Sequence, residues 1–267
     1  MLRTSLLIGC FALGALTACA PDPVKWDSEQ RTSTPVPAGA RLVLVGDVPA
    51  MAPAWKPPMR PNQPTASICE GSFVGTTARG DTAYAAWWAP RADSSALLVV
   101  ARSDDGGLNW RPAETADSTD KGRTGCNRPA PFIAADTTNG YVHVVYFMLA
   151  AEGPGVFFTH SMGGGEMFHS PVPIVYGERA SAAAVAAHGD TVAVAYIDPN
   201  AATPQLWLAL SQTTGHIFET RMEVSPSTSQ AAWPAVAVHG HRVAVAWLET
   251  SRSSGESVMV VRTGRWK

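Results

Sequence analysis

The chain has 267 residues, of which 46% are hydrophobic and only 16% charged, and its formal net charge at pH 7 is −2. This composition is typical of a globular protein with ample material for a core, and it excludes a disordered chain. The near balance of charge provides no basic surface for nucleic acid, so we expect no nucleic-acid partner.

The chain begins with a segment that resembles a secretion signal. Arg3 precedes an apolar run over residues 6–16, which is too short for a permanent membrane-spanning helix. The run closes with Leu16-Thr17-Ala18-Cys19, which resembles the bacterial lipobox, where the signal is cut before the cysteine and the thiol carries a lipid. The resemblance implies a signal peptide over residues 1–18 and a lipidated Cys19 that anchors the protein to a membrane. An ordinary secretory signal with an incidental cysteine is the alternative.

The residues after Cys19 predict where the anchor lies and how far it reaches. Ala20 rather than an aspartate follows the cysteine, which in lipoproteins of Gram-negative cells favours the outer membrane over the inner membrane of the cell envelope. The segment up to Ala40 contains four prolines among serine, threonine and charged residues, a composition that does not bury a core. We therefore predict a flexible tether over residues 19–40 and a folded domain over residues 41–267.

A repeat with a period near fifty residues runs through the folded domain. Each copy is a strand, a glycine-containing turn and a second strand that ends in an aromatic residue. Small residues alternate with valine in these strands, which suits strands pressed between neighbouring sheets. The repeat predicts an all-β propeller with four readable blades, in which the aromatic residues pack within the blades. These residues are Trp87, Tyr146, Tyr196 and Trp247.

A third strand follows each aromatic residue and leads into a turn with its own pattern. In the first repeat, residues 103–110 match Ser-x-Asp-x-Gly-x-x-Trp at every fixed position, and degenerate copies begin at Ser161 and Ser211. The pattern is similar to the Asp-box, or BNR repeat, of sialidases and related propellers. The resemblance implies a structural role for the fixed residues, which are Ser103, Asp105, Gly107 and Trp110.

The last repeat ends at Lys267 without an outer strand. The β-like run Arg41–Val45 has no repeat of its own, so we predict that it supplies the missing strand and closes the ring. The chain length allows four blades, or five if residues 49–64 form a degenerate blade. Sialidase rings usually have six.

Two cysteines remain once Cys10 leaves with the signal and Cys19 is acylated. Cys69 and Cys126 both fall just before the innermost strand of consecutive repeats. Outside the cytosol a disulfide is the default for such a pair, so we predict a bond that joins blade one to blade two. Two cysteines lack the paired spacing of a zinc site and the histidines are scattered along the sequence, so we predict no metal site.

Residues just before the inner strands of a propeller are expected to line its axial mouth. Two arginines at these positions would suit an acidic ligand, and a tryptophan would offer a face for stacking on a sugar. The alternative is that the charged residues are solvated loop residues and that the tryptophan packs within a blade. The candidate ligand-binding residues are Glu70, Arg128, Arg179, Gln230 and Trp233.

The sequence carries no recognisable catalytic constellation. Sialidases use three arginines, a tyrosine nucleophile activated by a glutamate and an aspartic acid, and their Arg-Ile-Pro motif has no match here, so no catalytic residue is assigned. No motif for a cofactor is present, and we expect none. We predict a non-enzymatic binding or assembly module that recognises an envelope protein or a glycan. The alternative is a sialidase-like glycoside hydrolase acting on acidic sugars.

Overall fold

The computed structural model describes residues 22–32, 42–45, 48–51 and 68–267. Cys19, the signal peptide and most of the segment 49–64 lie outside these ranges. Within them, all regular secondary structure is β-strand, and no helix is long and apolar enough to cross a membrane. Four strands precede the repeats: β1 (Val24–Trp26), β2 (Gln30–Arg31), β3 (Leu42–Val45) and β4 (Val48–Met51).

The repeats fold into four blades, each an antiparallel sheet whose strands follow the order of the chain. Blade one contains β5 (Val74–Thr77), β6 (Ala83–Pro90), β7 (Ala96–Ser103) and β8 (Glu114–Asp117). Blade two contains β9 (Phe132–Ala135), β10 (Val142–Ala150), β11 (Gly153–Ser161) and β12 (Val172–Tyr176). Blade three contains β13 (Ala183–His188), β14 (Thr191–Ile197), β15 (Leu206–Ser211) and β16 (Thr220–Glu223). Blade four contains β17 (Gln230–His239), β18 (Arg242–Thr250) and β19 (Ser257–Trp266).

The inner strands of successive blades lie side by side, with β5 beside β9, β9 beside β13, and β13 beside β17. Because neighbouring blades cover both faces of a sheet, the second strand of each blade is buried on both sides, as at Val192–Ala195 in β14. The aromatic residues that mark the repeat are all buried, as predicted. The all-β propeller with four readable blades is confirmed.

The strand that closes blade four is not the predicted one. β1 pairs with β19 from Val24 opposite Trp266 to Trp26 opposite Gly264, and β2 pairs with β19 farther along. The prediction for Arg41–Val45 is wrong, because β3 pairs with β4 in a separate two-stranded sheet. That hairpin lies beside β17 and β18.

Side-chain packing explains why β1 takes this position. Val24 is 1% exposed in the core between blades three and four, and a β-carbon on Gly264 would lie 2.7 Å from its Cγ1. The Arg262 guanidinium lies 4.8 Å from the centre of the Trp26 ring. Both strands fall within the segment 19–40, for which the composition predicted a tether, so residues 24–26 and 30–31 belong to the propeller.

A disulfide between Cys69 and Cys126 joins blades one and two, as predicted. The backbone N–H of Cys69 donates to the carbonyl oxygen of Trp88 on β6 at 2.9 Å, which fixes this cysteine to blade one. Cys126 lies in the connection from β8 to β9. The bond therefore restrains the step from the first blade to the second.

Hydrogen bonds within the turn at residues 103–110 explain its fixed residues. The Ser103 hydroxyl donates to Asp105 Oδ1 at 2.7 Å and accepts from the backbone N–H of Gly107 at 2.8 Å. Asp105 also accepts from the backbone and side-chain nitrogens of Asn109 at 2.8 and 2.7 Å. These donors to the carboxylate lower the pKa of Asp105 to about 2. Gly107 has a φ of +92°, a conformation that favours glycine.

The turns that begin at Ser161 and Ser211 repeat part of this network. Each serine hydroxyl accepts from the N–H of a glycine four residues later, at 3.0 Å in both turns. In the second of them the Thr213 hydroxyl accepts from the N–H of Ile217 at 3.0 Å, the role that Asp105 has in blade one. The degenerate turns therefore keep the serine–glycine bond with different side chains.

Candidate functional site

The five predicted ligand-binding residues all lie at or near the start of an inner strand, but their environments differ. Glu70 is exposed in a turn before β5. Arg128 precedes β9, Arg179 precedes β13, and Gln230 and Trp233 lie at the beginning of β17. Four of the five are exposed, and three of these lie in the neighbouring blades three and four, namely Arg179, Gln230 and Trp233.

Arg128 is held inside the protein. Its side chain is 4% exposed and pairs with the buried carboxylate of Asp120 at 2.9 Å, while its Nε donates to the carbonyl oxygen of Gly125 at 2.8 Å. Its guanidinium also lies 5.0 Å from the centre of the Trp88 ring. With these contacts Arg128 joins the loop before β9 to blade one, and the structure does not present it to a ligand.

Arg179 is exposed, and its guanidinium is fixed by backbone carbonyls. Nε donates to the carbonyl oxygen of Pro199 at 2.9 Å, and Nη2 donates to that of Ala201. Both acceptors belong to the loop between β14 and β15. Because carbonyl oxygens orient the group without neutralising its charge, Arg179 offers a positioned cation at the surface.

Trp233 is an exposed tryptophan in an unusual backbone conformation. It lies where the β17–β18 register shifts between Ala232 and Ala235, its φ is +53°, and its side chain is 44% exposed. A positive φ is a true outlier for a bulky residue and costs on the order of 1–3 kcal/mol. The bulge holds the indole away from the blade core, and Gln230 at the start of the same strand is also exposed.

Arg179, Gln230 and Trp233 therefore form what we call the mouth group. β13 and β17 are neighbouring inner strands, so the three side chains lie at the same end of adjacent blades. The group combines a cation, an amide and an aromatic face. It contains no carboxylate and no nucleophile.

A buried tyrosine–carboxylate pair lies elsewhere, between blades one and two. The Tyr146 hydroxyl donates to Asp117 Oδ2 at 2.5 Å, and Tyr146 is 1% exposed. Burial, and then the neighbouring carboxylate, raise the pKa of Tyr146 well above its usual value. Because this pair has no solvent access, it acts in packing, as its place in the repeat predicts.

A pocket of about 360 Å³ lies on the outer side of the ring, beside the closing strands. Acidic side chains predominate in its lining, with Arg262 as the basic residue. It does not include the mouth group. Its lining residues are Asp27, Glu29, Glu223, Val224, Ser225, Pro226 and Arg262.

Three histidines that are far apart in sequence meet between blades two and three, at the opposite end of the strands from the mouth group. The ring centres of His160 and His169 are 4.4 Å apart, and His216 lies 4.7 Å from the first and 5.1 Å from the second. The expectation of no metal site relied on cysteine spacing and on histidines scattered in sequence. The only sequence signal for this cluster was that two of them fall in equivalent turns of consecutive repeats.

Burial keeps the innermost histidines neutral. Burial, and then the charges of the neighbouring histidines, lower the pKa of His160 to about 3. His143, its cross-strand partner on β10, is buried beside it, and burial lowers its pKa to about 4 against an opposing effect of Asp136. At neutral pH both imidazoles are therefore uncharged.

No protein-family model matches the sequence, and no curated protein matches it. Among solved structures, a protein of unknown function from Dyadobacter fermentans DSM 18053 has a TM-score of 0.51 and 14% identity over 70% of this chain and 50% of that one. The Hadza microbial sialidase Hz136 has a TM-score of 0.49 and 17% identity over 71% of this chain and 43% of that one. The chain spans about half the length of these structures. At this identity the likeness shows the propeller fold alone.

Proposed function

We propose that this protein is a lipid-anchored propeller of the Asp-box type in the cell envelope, and that it binds a ligand through the mouth group without catalysing a reaction. The observation that carries the proposal is Trp233, an exposed indole in a strained backbone conformation at the start of an inner strand. Strain of this kind is retained where the surrounding structure or a function requires it. An exposed tryptophan is also among the side chains that contribute most to binding.

The chemistry of the mouth group favours a carboxylate-bearing glycan. The Trp233 indole offers an apolar face for the C–H side of a sugar ring, and the Gln230 amide supplies a donor and an acceptor for hydroxyl groups. Arg179 adds a fixed cation whose geometry suits a carboxylate. An envelope protein with an acidic surface would meet the same three side chains and is the second class of partner to test.

The remaining arginine of the predicted site argues against a sialidase-type grip on a substrate. Arg128 is committed to Asp120, so it is not available beside Arg179. In this proposal the ring serves as a recognition head, and Cys19 tethers it to the outer membrane. A sialidase-like hydrolase is the alternative, and an activity assay tests it.

The test measures binding of the mature protein to sialylated and uronic-acid oligosaccharides and to their neutral counterparts. We expect binding to the acidic members only, and a loss of affinity of about 30-fold or more on Trp233→Ala, because truncating a hot-spot tryptophan costs about 2 kcal/mol or more. Leu108→Ala is the control, since Leu108 is an apolar residue that is 58% exposed, against 44% for Trp233, in a turn of blade one far from the mouth group. It should bind as the wild type does.

Two results would overturn the proposal. The first is equal binding by the wild type and Trp233→Ala, which would place the ligand elsewhere. The second is turnover of a fluorogenic sialoside by the wild type, which would establish the hydrolase. Binding of an acidic envelope protein in place of any glycan, with the same dependence on Trp233, would keep the site and change the partner class.

A further inference from the structure

The three clustered histidines have the donor geometry of a metal site. His160 is the penultimate residue of strand β11, His169 lies in the connection that follows, and His216 lies in the equivalent connection of blade three. One ring nitrogen of each lies within 4.8 Å of the others. The His160 and His169 rings stack with 5° between their planes, and the His216 ring is turned by 81° and 80° from them. The three nitrogens therefore lie close to one another between the blades.

The buried member of the cluster has an unused nitrogen. His160 is 1% exposed, and its Nε2 is buried without a hydrogen-bond partner among the described residues. A buried polar atom left unpaired costs about 1–3 kcal/mol, so such atoms call for an explanation. A ligand bound to this nitrogen would remove the cost.

We propose that His160, His169 and His216 bind a divalent transition-metal ion of the Zn²⁺ class between blades two and three. Three imidazoles suit Zn²⁺, Ni²⁺ and Cu²⁺ and do not suit Mg²⁺ or Ca²⁺, which prefer oxygen ligands. Tetrahedral Zn²⁺ with Zn–N bonds of about 2.0–2.1 Å places its ligand nitrogens about 3.3 Å apart. The widest separation of 4.8 Å therefore needs to close by about 1.5 Å.

The surroundings of the cluster permit that adjustment. His169 and His216 are exposed on turns, so both rings are free to rotate toward His160. The blade-three turn already packs against blade two, because a β-carbon on Gly215 would lie 2.2 Å from the Phe158 ring. The exposed side leaves a fourth coordination position for water. The metal would join blade two to blade three, as the disulfide joins blade one to blade two.

The test titrates Zn²⁺ into the mature, untagged protein after treatment with EDTA, using calorimetry. We expect one ion per chain, and a binding constant weakened about 100-fold or more by either His169→Gln or His216→Gln, since loss of an outer-shell partner alone costs 10–100-fold. His241→Gln is the matched control, because His241 is an exposed histidine in the hairpin turn of blade four. It should bind Zn²⁺ like the wild type.

A second measurement separates the site from non-specific binding to surface histidines. Zn²⁺ should raise the unfolding temperature of the wild type and of His241→Gln but not of the two ligand variants, and without metal all four proteins should unfold at similar temperatures. Co²⁺ should give the visible bands of a four-coordinate site with three nitrogen ligands and water in the wild type and in His241→Gln, and in neither ligand variant. Absence of saturable binding to the wild type, or unchanged binding in both ligand variants, would overturn the proposal.

Discussion

Replacing Val24 with alanine should destabilise the whole propeller, although this residue lies only five positions after the proposed lipid anchor. Val24 is 1% exposed in the core shared by blades three and four. The change removes two buried carbon atoms at roughly 0.8 kcal/mol each and leaves a small cavity, which together cost about 2 kcal/mol. For a domain of this size that loss lowers the unfolding temperature by about 4–8 °C.

The assay is thermal unfolding of the mature protein, with Lys25→Ala as the matched control. Lys25 is the next residue in the same strand and is exposed, so its loss should change the free energy of unfolding by less than about 0.5 kcal/mol. A truncated protein that begins at residue 33 should also lose solubility relative to one that begins at residue 22, because it exposes the edge of β19. Equal stability of the Val24 and Lys25 variants would show that β1 is not an integral strand of blade four.

Three further predictions concern the disulfide, pH and the anchor. Replacing Cys69 and Cys126 together with serine should cost about 4 kcal/mol of stability, from closure of a loop with a separation of 57 residues, and chemical unfolding with and without reductant checks this. Because the pKa of His143 is about 4 in the fold against 6.5 unfolded, the unfolded chain takes up this proton first, and the free energy of unfolding falls as the pH is lowered from about 6.5 to 4. Between pH 7.5 and pH 5 in EDTA, His143 should lower the free energy of unfolding of the wild type by about 2 kcal/mol. The free energy of His143→Leu should fall by about 2 kcal/mol less over the same range, and an equal fall in both proteins would contradict this prediction. Cys19→Ala should move the protein from the membrane to the soluble fraction with its unfolding temperature unchanged, and retention in the membrane would contradict the anchor.

The repeat made most of the fold predictable from the sequence. The aromatic residue that recurs at Trp87, Tyr146, Tyr196 and Trp247 marks the buried strand of each blade, because packing between blades imposes the same requirement in every copy. The pairing of Cys69 with Cys126 followed from the same alignment. Features that recur in phase with the repeat are therefore visible in one sequence.

Features set by single long-range contacts were not visible. The run Arg41–Val45 is more apolar than Val24–Trp26. The segment Val24–Trp26 nevertheless pairs with the edge of β19, because Val24 packs against Gly264 and Trp26 contacts Arg262. The histidine cluster depends on how two blades face each other, which sequence spacing does not encode.

The candidate site was predictable in position and not in detail. Arg128 and Arg179 occupy equivalent places before inner strands, but only the first meets a buried carboxylate, that of Asp120, which turns it inward. Trp233 was identified from its position in the repeat. It is exposed at a bulge in β17, which the alternation of apolar and polar residues in that strand does not predict. Side-chain direction at strand starts depends on loop contacts that differ from blade to blade.

Hydrogen–deuterium exchange with and without the acidic oligosaccharide that binds best locates the ligand on the propeller. We expect protection of residues 177–182 and 224–233, the backbone that carries Arg179, Gln230 and Trp233, and no change in the turn at residues 103–110. Protection confined to that turn and its counterparts in the other blades would place the ligand at the opposite end of the propeller, and the mouth group would not be the binding site.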